Sequence, residues 1–292
     1  MGKLILGTVQ MGLDYGINNN SGKISVDNSN KILLNSYKLG ITTLDTAEAY
    51  GNAHNVIGDF HRRNPEYKFK IVTKVPHDIE VNDISNKIKN YIEILNVEYL
   101  DVIMFHSFDS FVKNKNSILE LSDLKSEGLI NRIGVSVYTN NQIEYLIDDK
   151  LVSVVQLPFN LLDNSSVKGD LLKRLKSKGK IVHTRSAFLQ GIFFKNCNDN
   201  NIIVQELKVE LNNLNNIAIK NNCSMEELAL SYCMNQQFID NVIIGVDSIE
   251  HLRSNIRASE FKIGYEVIDE INSIKIKDTD LLNPSLWTQK YY

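Results

Sequence analysis

Short runs of apolar and β-branched residues recur along the chain. They predict strands at Leu4–Thr8, Thr42–Thr46, Lys70–Val75, Leu100–His106, Arg132–Val137, Val152–Pro158, Lys180–Arg185 and Val242–Val246. Most are apolar almost without interruption, the pattern of a strand buried on both faces. The segments between them carry helical spacing. Leu33, Leu34 and Tyr37 share a face and stop before Gly40. Ile118, Leu121 and Leu124 stop before Gly128, and Leu171, Leu172 and Leu175 before Gly179. A glycine just past the last apolar turn is a common helix stop, because it adopts the left-handed conformation freely. Leu207, Leu211, Leu214 and Ala218 mark a longer helix, and Ser224 with Glu227 forms a capping-box pattern that opens another.

Strand and helix in alternation predict a parallel sheet covered by helices. Eight units in 292 residues fit a closed (β/α)8 TIM barrel better than an open doubly wound sheet. No GxGxxG follows any of the predicted strands, which weakens the open dinucleotide-binding alternative. No Pro/Gly/Ser linker or shift in composition divides the chain. The expectation is one α/β domain over residues 1–292, with residues 259–292 as a C-terminal extension beyond the eighth helix.

Composition excludes several function classes. Hydrophobic residues make up 43% and charged residues 23%, and 32 basic against 35 acidic side chains leave a net charge of −3. That balance argues against a general nucleic-acid binder or a polybasic membrane surface. No apolar run approaches the roughly 20 residues that span a bilayer, and the first residues lack the apolar core of a signal peptide. Cys197, Cys223 and Cys233 are too few and too scattered for a disulfide framework or a zinc site. The expectation is a reduced, cytoplasmic protein without a metal.

Barrel enzymes carry their chemistry at the C-terminal ends of the strands. There the second strand delivers Asp45, with Tyr50 just beyond; the third delivers Lys74; and the fourth delivers His106 after Val102-Ile103-Met104-Phe105. Burying any of these alone is costly, whereas together they satisfy one another. A neighbouring ammonium is expected to lower the phenol's pKa from about 10, with the carboxylate holding the lysine in place. Such a tyrosine can protonate a developing alkoxide while a neutral imidazole donates a second hydrogen bond to the same oxygen. Carbonyl reduction needs this arrangement, and its hydride must come from a cofactor, since no side chain supplies one.

Taken singly, each residue has a plainer reading. Asp45 serves as a helix cap, Tyr50 as packing, Lys74 as a surface lysine or the imine-forming nucleophile of an aldolase, and His106 and His183 as structural histidines. A nicotinamide-sensing regulatory subunit without turnover is a further alternative.

The joint pattern resembles the aldo-keto reductase superfamily over nearly the whole chain. Gly40-Ile41-Thr42-Thr43-Leu44-Asp45-Thr46-Ala47-Glu48-Ala49-Tyr50-Gly51 is similar to that family's signature after its second strand, and Lys74 and His106 match its next two positions. The resemblance implies a catalytic tetrad of Asp45, Tyr50, Lys74 and His106, with Tyr50 as proton donor. It implies NADP(H), with NAD(H) as an accepted alternative, and a small-molecule carbonyl substrate. It also implies a set of cofactor contacts. Gly7, Thr8 and Asp45 lie near the nicotinamide, and Ser136 and Gln156 hold its carboxamide. Arg185, Ser186, Phe188 and Gln190 follow the seventh strand. Gly245, Asp247, His251 and Asn255 grip the adenosine end.

Several positions depart from the family pattern. Val137 stands where asparagine is usual, Arg185 where a tyrosine often stacks on the nicotinamide, and His54 where a glutamate is frequent. A guanidinium plane stacks on aromatic rings, but its charge opposes oxidised nicotinamide. Members preferring NADP place Lys or Arg where this chain has Gly245, Asp247 and His251, so reduced discrimination against NAD is expected. Tyr15, Phe108, Trp287, Tyr291 and Tyr292 are candidates for lining a pocket or capping the barrel. The Leu6–Gly16 and Arg185–Gly191 segments resemble bacterial members associated with sugar metabolism, which implies a polar, sugar-like carbonyl.

Overall fold

The computed structural model describes residues 2–17, 19, 22–79 and 83–291. Its strands are β1 (Leu4–Gly7), β2 (Thr43–Asp45), β3 (Lys70–Val75), β4 (Leu100–Phe105), β5 (Ile130–Ser136), β6 (Val154–Pro158), β7 (Ile181–Arg185) and β8 (Asn241–Ile244). They pair in parallel in chain order, and β8 closes on β1. The expected (β/α)8 barrel is therefore the fold. Strand ends differ from expectation by one or two residues: Thr8 and His106 lie just beyond their strands, and β8 stops at Ile244.

The expected helix stops hold. Helices Val26–Lys38, Ile118–Ser126 and Ser165–Ser177 are followed by Gly40, Gly128 and Gly179, each at positive φ. Ser224 and Glu227 form a reciprocal capping box on the helix Met225–Met234. The boundary of the C-terminal extension needs correction. The eighth helix runs Ile249–Glu260, so residues 259 and 260 belong to it. A helix at Tyr265–Ser273 follows, then short turns. No helix among the described residues is long and apolar enough to cross a membrane.

Register explains what faces the barrel interior. Lys74 pairs with Met104 and Met104 with Gly134, while Ser136 pairs with Gln156 and Gln156 with His183. Paired residues of neighbouring strands point to the same face, and every second residue along a strand does too. The interior therefore holds Val72, Val102, Met104 and Val154 as a small apolar cluster. Gly134 is bare because a Cβ there would lie 2.8 Å from the Met104 methyl. Two residues beyond Val72, Met104 and Val154 the chain brings in polar groups, Lys74, His106 and Gln156. The intervening positions, such as Ile103, Phe105, Val135 and Leu157, face outward and pack under the helices in the main core.

Candidate active site

The C-terminal mouth of the barrel opens into a cavity of about 1120 Å³. All four residues of the expected tetrad and all of the expected cofactor contacts line it. Pockets for drug-sized ligands run to about 1,000 Å³, so this one has room for a dinucleotide with a small substrate.

The floor is an ion pair. Lys74 Nζ donates to Asp45 Oδ1 at 2.6 Å and to the Thr46 carbonyl at 3.0 Å. The two side chains are 1% and 5% exposed. Gln156 Nε2 donates to Asp45 Oδ2 at 2.7 Å, so both carboxylate oxygens are engaged. Thr8 ties β1 to the same place, donating Oγ1 to the Asp45 carbonyl at 3.1 Å.

Tyr50 reaches this floor from a tight turn after β2. The turn presses on Gly12, where a Cβ would lie 1.7 Å from the Tyr50 carbonyl oxygen. Gly51, at φ 53°, faces the Gly12 carbonyl in the same way. Neither position accepts a side chain, and their contact sets the direction of the phenol. The Tyr50 ring meets the His106 ring edge-to-face, centroids 5.9 Å apart, and Lys74 Nζ lies 5.2 Å from its centroid. The residues expected to meet at one carbonyl oxygen are therefore neighbours.

The electrostatics correct one expectation. The Tyr50 phenol is shifted upward, by burial first and by the Asp45 charge second; Arg185 opposes this. The Lys74 ammonium, hydrogen-bonded to Asp45 and Thr46, is not among the causes of this shift. Burial shifts Lys74 itself downward, with Asp45 opposing. His106 behaves as expected: burial, then the Lys74 charge, hold it down at about 3, so the ring is neutral. Its Nδ1 is buried without a hydrogen-bond partner. The ring of His77 stacks on it, centroids 4.7 Å apart.

The other end of the cavity is less tightly built. Asn255 Nδ2 reaches the Gly245 carbonyl at 3.4 Å. A Cβ at Gly245 would meet Gln10 Nε2 at 2.7 Å. His251 Nδ1 lies 3.7 Å from Asp247 Oδ2, and the contact shifts the imidazole upward. Gln10 Oε1 and Asp247 Oδ1, both on residues that line the cavity, are buried without hydrogen-bond partners.

Arg185 does not present a free plane. Its guanidinium sits 4.2 Å above the ring of Tyr138. Of the aromatic candidates, Tyr15 and Phe108 line the cavity, and Tyr15 accepts a hydrogen bond from Gln190 Nε2 at 3.1 Å. Trp287 instead donates to the Leu281 carbonyl, and Tyr291 to Asp278, away from the cavity. The C-terminal extension reaches the lining through Pro284 and Ser285. Tyr292 lies outside the described residues. His54 is buried against Thr73 Oγ1 at 2.8 Å, behind the floor, and His183 lies inside the barrel beside Gln156. Burial lowers both to about 4.

The sequence reading missed Gln10, His77 and Tyr138. Each lies two or three residues beyond a strand end or an assigned position, close enough for spacing to have flagged it. Among the described residues no cluster of three or more His, Cys, Asp or Glu is placed to hold a metal.

A model of the Aldo/keto reductase family matches residues 3–276. A protein named NADH-specific methylglyoxal reductase, from Escherichia coli, is 21% identical over 264 residues, covering 77% of this chain and 81% of its own. L-galactose dehydrogenase of Arabidopsis thaliana is 23% identical over 289 residues, covering 90% and 89%. Among solved structures, an aldo-keto reductase of Bacillus halodurans in holo form superposes with a TM-score of 0.77 at 20% identity. It covers 94% of both chains.

Proposed function

The chain belongs to the aldo/keto reductase family, nicotinamide-dependent oxidoreductases that reduce carbonyls, and on that premise we propose that it reduces a small polar aldehyde or ketone with Tyr50 as the proton donor. One observation carries this reading. A protonated phenol and a neutral imidazole lie side by side over a buried Lys74–Asp45 pair, at the mouth of a cavity large enough for a dinucleotide.

The bound reduced nicotinamide supplies the hydride. The protein's residues manage charge at the carbonyl oxygen. The Tyr50 hydroxyl donates its proton to that oxygen. An alkoxide is a stronger base than a phenolate, so the transfer runs downhill even from a phenol whose pKa burial has raised. The neutral His106 ring donates a second hydrogen bond, in the manner of an oxyanion hole. Lys74 places a positive charge beside the phenolate that remains, and Asp45 with Gln156 keeps that lysine aimed. As an imine-forming nucleophile Lys74 is poorly suited, since its side chain is 1% exposed and its nitrogen is ion-paired.

Ser136 and the carbonyl oxygen of Gln156 are the groups left for the carboxamide, because the Gln156 amide donates to Asp45. Gly245, Asp247, His251 and Asn255 take the adenosine end. The carboxylate of Asp247 opposes a 2′-phosphate, and His251 relieves this only in part. Both NADPH and NADH should therefore be accepted, and fluorescence titration should give dissociation constants less than a hundredfold apart. The reading also places the protein in the cytoplasm, consistent with three free cysteines.

The test is Tyr50→Phe. Removing a general acid costs about 10²–10⁴ in rate, so turnover on a carbonyl panel should fall by that factor. The dissociation constant for the reduced nucleotide should stay within a few-fold. Unchanged turnover would remove Tyr50 from the chemistry. Nucleotide binding by the native protein without reduction of any carbonyl would instead support a nicotinamide-sensing subunit.

A further inference from the structure

The resemblance sets Arg185 among the cofactor contacts, but its guanidinium is seated on Tyr138 and has no part in the proton chemistry proposed above. Arg185 ends β7, and inward residues of that strand alternate through Ile181, His183 and Arg185. Its side chain therefore enters the cavity from the barrel interior, where it is half-buried. Its electrostatic influence reaches Tyr50, Lys74 and His106, which puts it at the reacting end.

The two buried carboxylates that sense its charge or share its end of the cavity are engaged elsewhere. Asp45 is held by Lys74 and Gln156. Asp163, which also senses the Arg185 charge, is bound to Lys168. Among the described residues Arg185 has no carboxylate partner, and its recorded side-chain contact is the face of Tyr138. A guanidinium offers five N–H donors in a fork that matches carboxylate or phosphate. Stacking on a ring leaves the edge of that fork free.

The backbone fixes this placement. The Arg185 carbonyl accepts from the Phe159 amide at 3.1 Å, and Asn160 Nδ2 donates to the Ser186 carbonyl at 3.3 Å. Ser186, Leu189 and Gln190 all have positive φ, a conformation that non-glycine residues adopt at a cost. The chain thus curls sharply after Arg185, while the loop side chain of Gln190 is tied to Tyr15. A cation without a counter-ion, held beside a proton donor, favours a ligand that brings the missing charge.

We propose that Arg185 is the receptor for an anionic group on the substrate, and that the carbonyl compound reduced here carries a carboxylate or a phosphate close to its reacting carbon. This rests on the reductase reading and adds the class of substrate. Tyr138 is the platform that keeps the guanidinium plane in position.

The experiment compares matched carbonyls with NADPH or NADH. Succinic semialdehyde and glyceraldehyde 3-phosphate are the charged probes, with butanal and glyceraldehyde as neutral counterparts. The native enzyme should favour at least one charged member over its counterpart by thirtyfold or more in kcat/KM, mostly through KM. The better of the two anions identifies carboxylate or phosphate. Arg185→Gln should bring that ratio to within about threefold of one. Arg185→Lys, which keeps the charge and loses the fork, should retain an intermediate ratio and shows that the position tolerates substitution. Reduction of both members of each pair at similar rates overturns the proposal and leaves the reductase reading standing. So does a loss of nucleotide affinity in Arg185→Gln as large as the rise in KM, which would assign the guanidinium to the cofactor's pyrophosphate. Reduction of no carbonyl, charged or neutral, defeats the reductase reading and the proposal with it.

Discussion

Two ammonium–carboxylate pairs are buried at the same end of the barrel, and only one of them sits where chemistry can happen. Lys74 and Asp45 have side chains 1% and 5% exposed, and Lys168 and Asp163 have side chains 3% and 8% exposed. Burial shifts both lysines downward against the pull of their partners. By charge, depth and geometry the two are near-duplicates. Their surroundings differ. Lys168 spends its other bond on the Pro158 carbonyl at 3.0 Å, closing the turn between β6 and the helix that follows. The small cavity beside it, about 310 Å³, has no histidine in its lining. Lys74 lies under the Tyr50 ring with His106 against that ring's edge. A buried ion pair is thus no mark of an active site by itself. The phenol, the imidazole and the open cavity above Lys74 make the difference.

Removing each lysine tests the contrast most strongly. In Lys74→Met and Lys168→Met alike, a buried carboxylate loses its partner, at a cost of about 3–5 kcal/mol of stability. Chemical denaturation should show similar losses for both. Turnover per folded molecule should separate them, falling at least a hundredfold in Lys74→Met and staying within about threefold of native in Lys168→Met. Equal loss of turnover in the two would break the comparison.

A smaller effect concerns acid. His54, His106 and His183 are held neutral, at about 4, 3 and 4, with the Lys74 charge among the causes each time. In the unfolded chain a histidine titrates near 6.5. As pH falls below that value the unfolded state takes up protons first, so stability present at pH 7 drains away between about pH 6.5 and 4. At pH 5 the loss is at most about 2 kcal/mol per ring. Guanidinium midpoints at pH 7, 6 and 5 should therefore fall steeply in the native protein. The decline should be shallower in Lys74→Met, where removing the ammonium lets the rings titrate nearer their ordinary range. Lys168→Met should keep the native slope. A slope indifferent to Lys74 would show that burial alone holds the rings neutral.

Much of this architecture could be read along the chain. Eight apolar runs, with glycines closing the helices between them, predicted the barrel. Polar residues at the ends of β2, β3 and β4 predicted which positions would meet. Those inferences worked because they depend on local repeats: alternate residues of a strand share a face, and the fold brings the strand ends to one rim. Lys168 and Asp163 could not be found this way. They are five residues apart across a turn, with no periodicity to place them inside.

What depends on packing between distant segments was decided only by the folded structure. The rise in the Tyr50 pKa, where a fall was expected, follows from how deeply the closed barrel buries the phenol and from the Asp45 charge that it sets nearby. The engagement of Gln156 by Asp45 spans 111 residues, and the seat of Arg185 on Tyr138 joins the ends of two different strands. Sequence determined which groups arrive at the mouth of the barrel, because backbone periodicity carries that information. Which of them remain free for a ligand was settled by distances and burial, and those exist only once the barrel has closed.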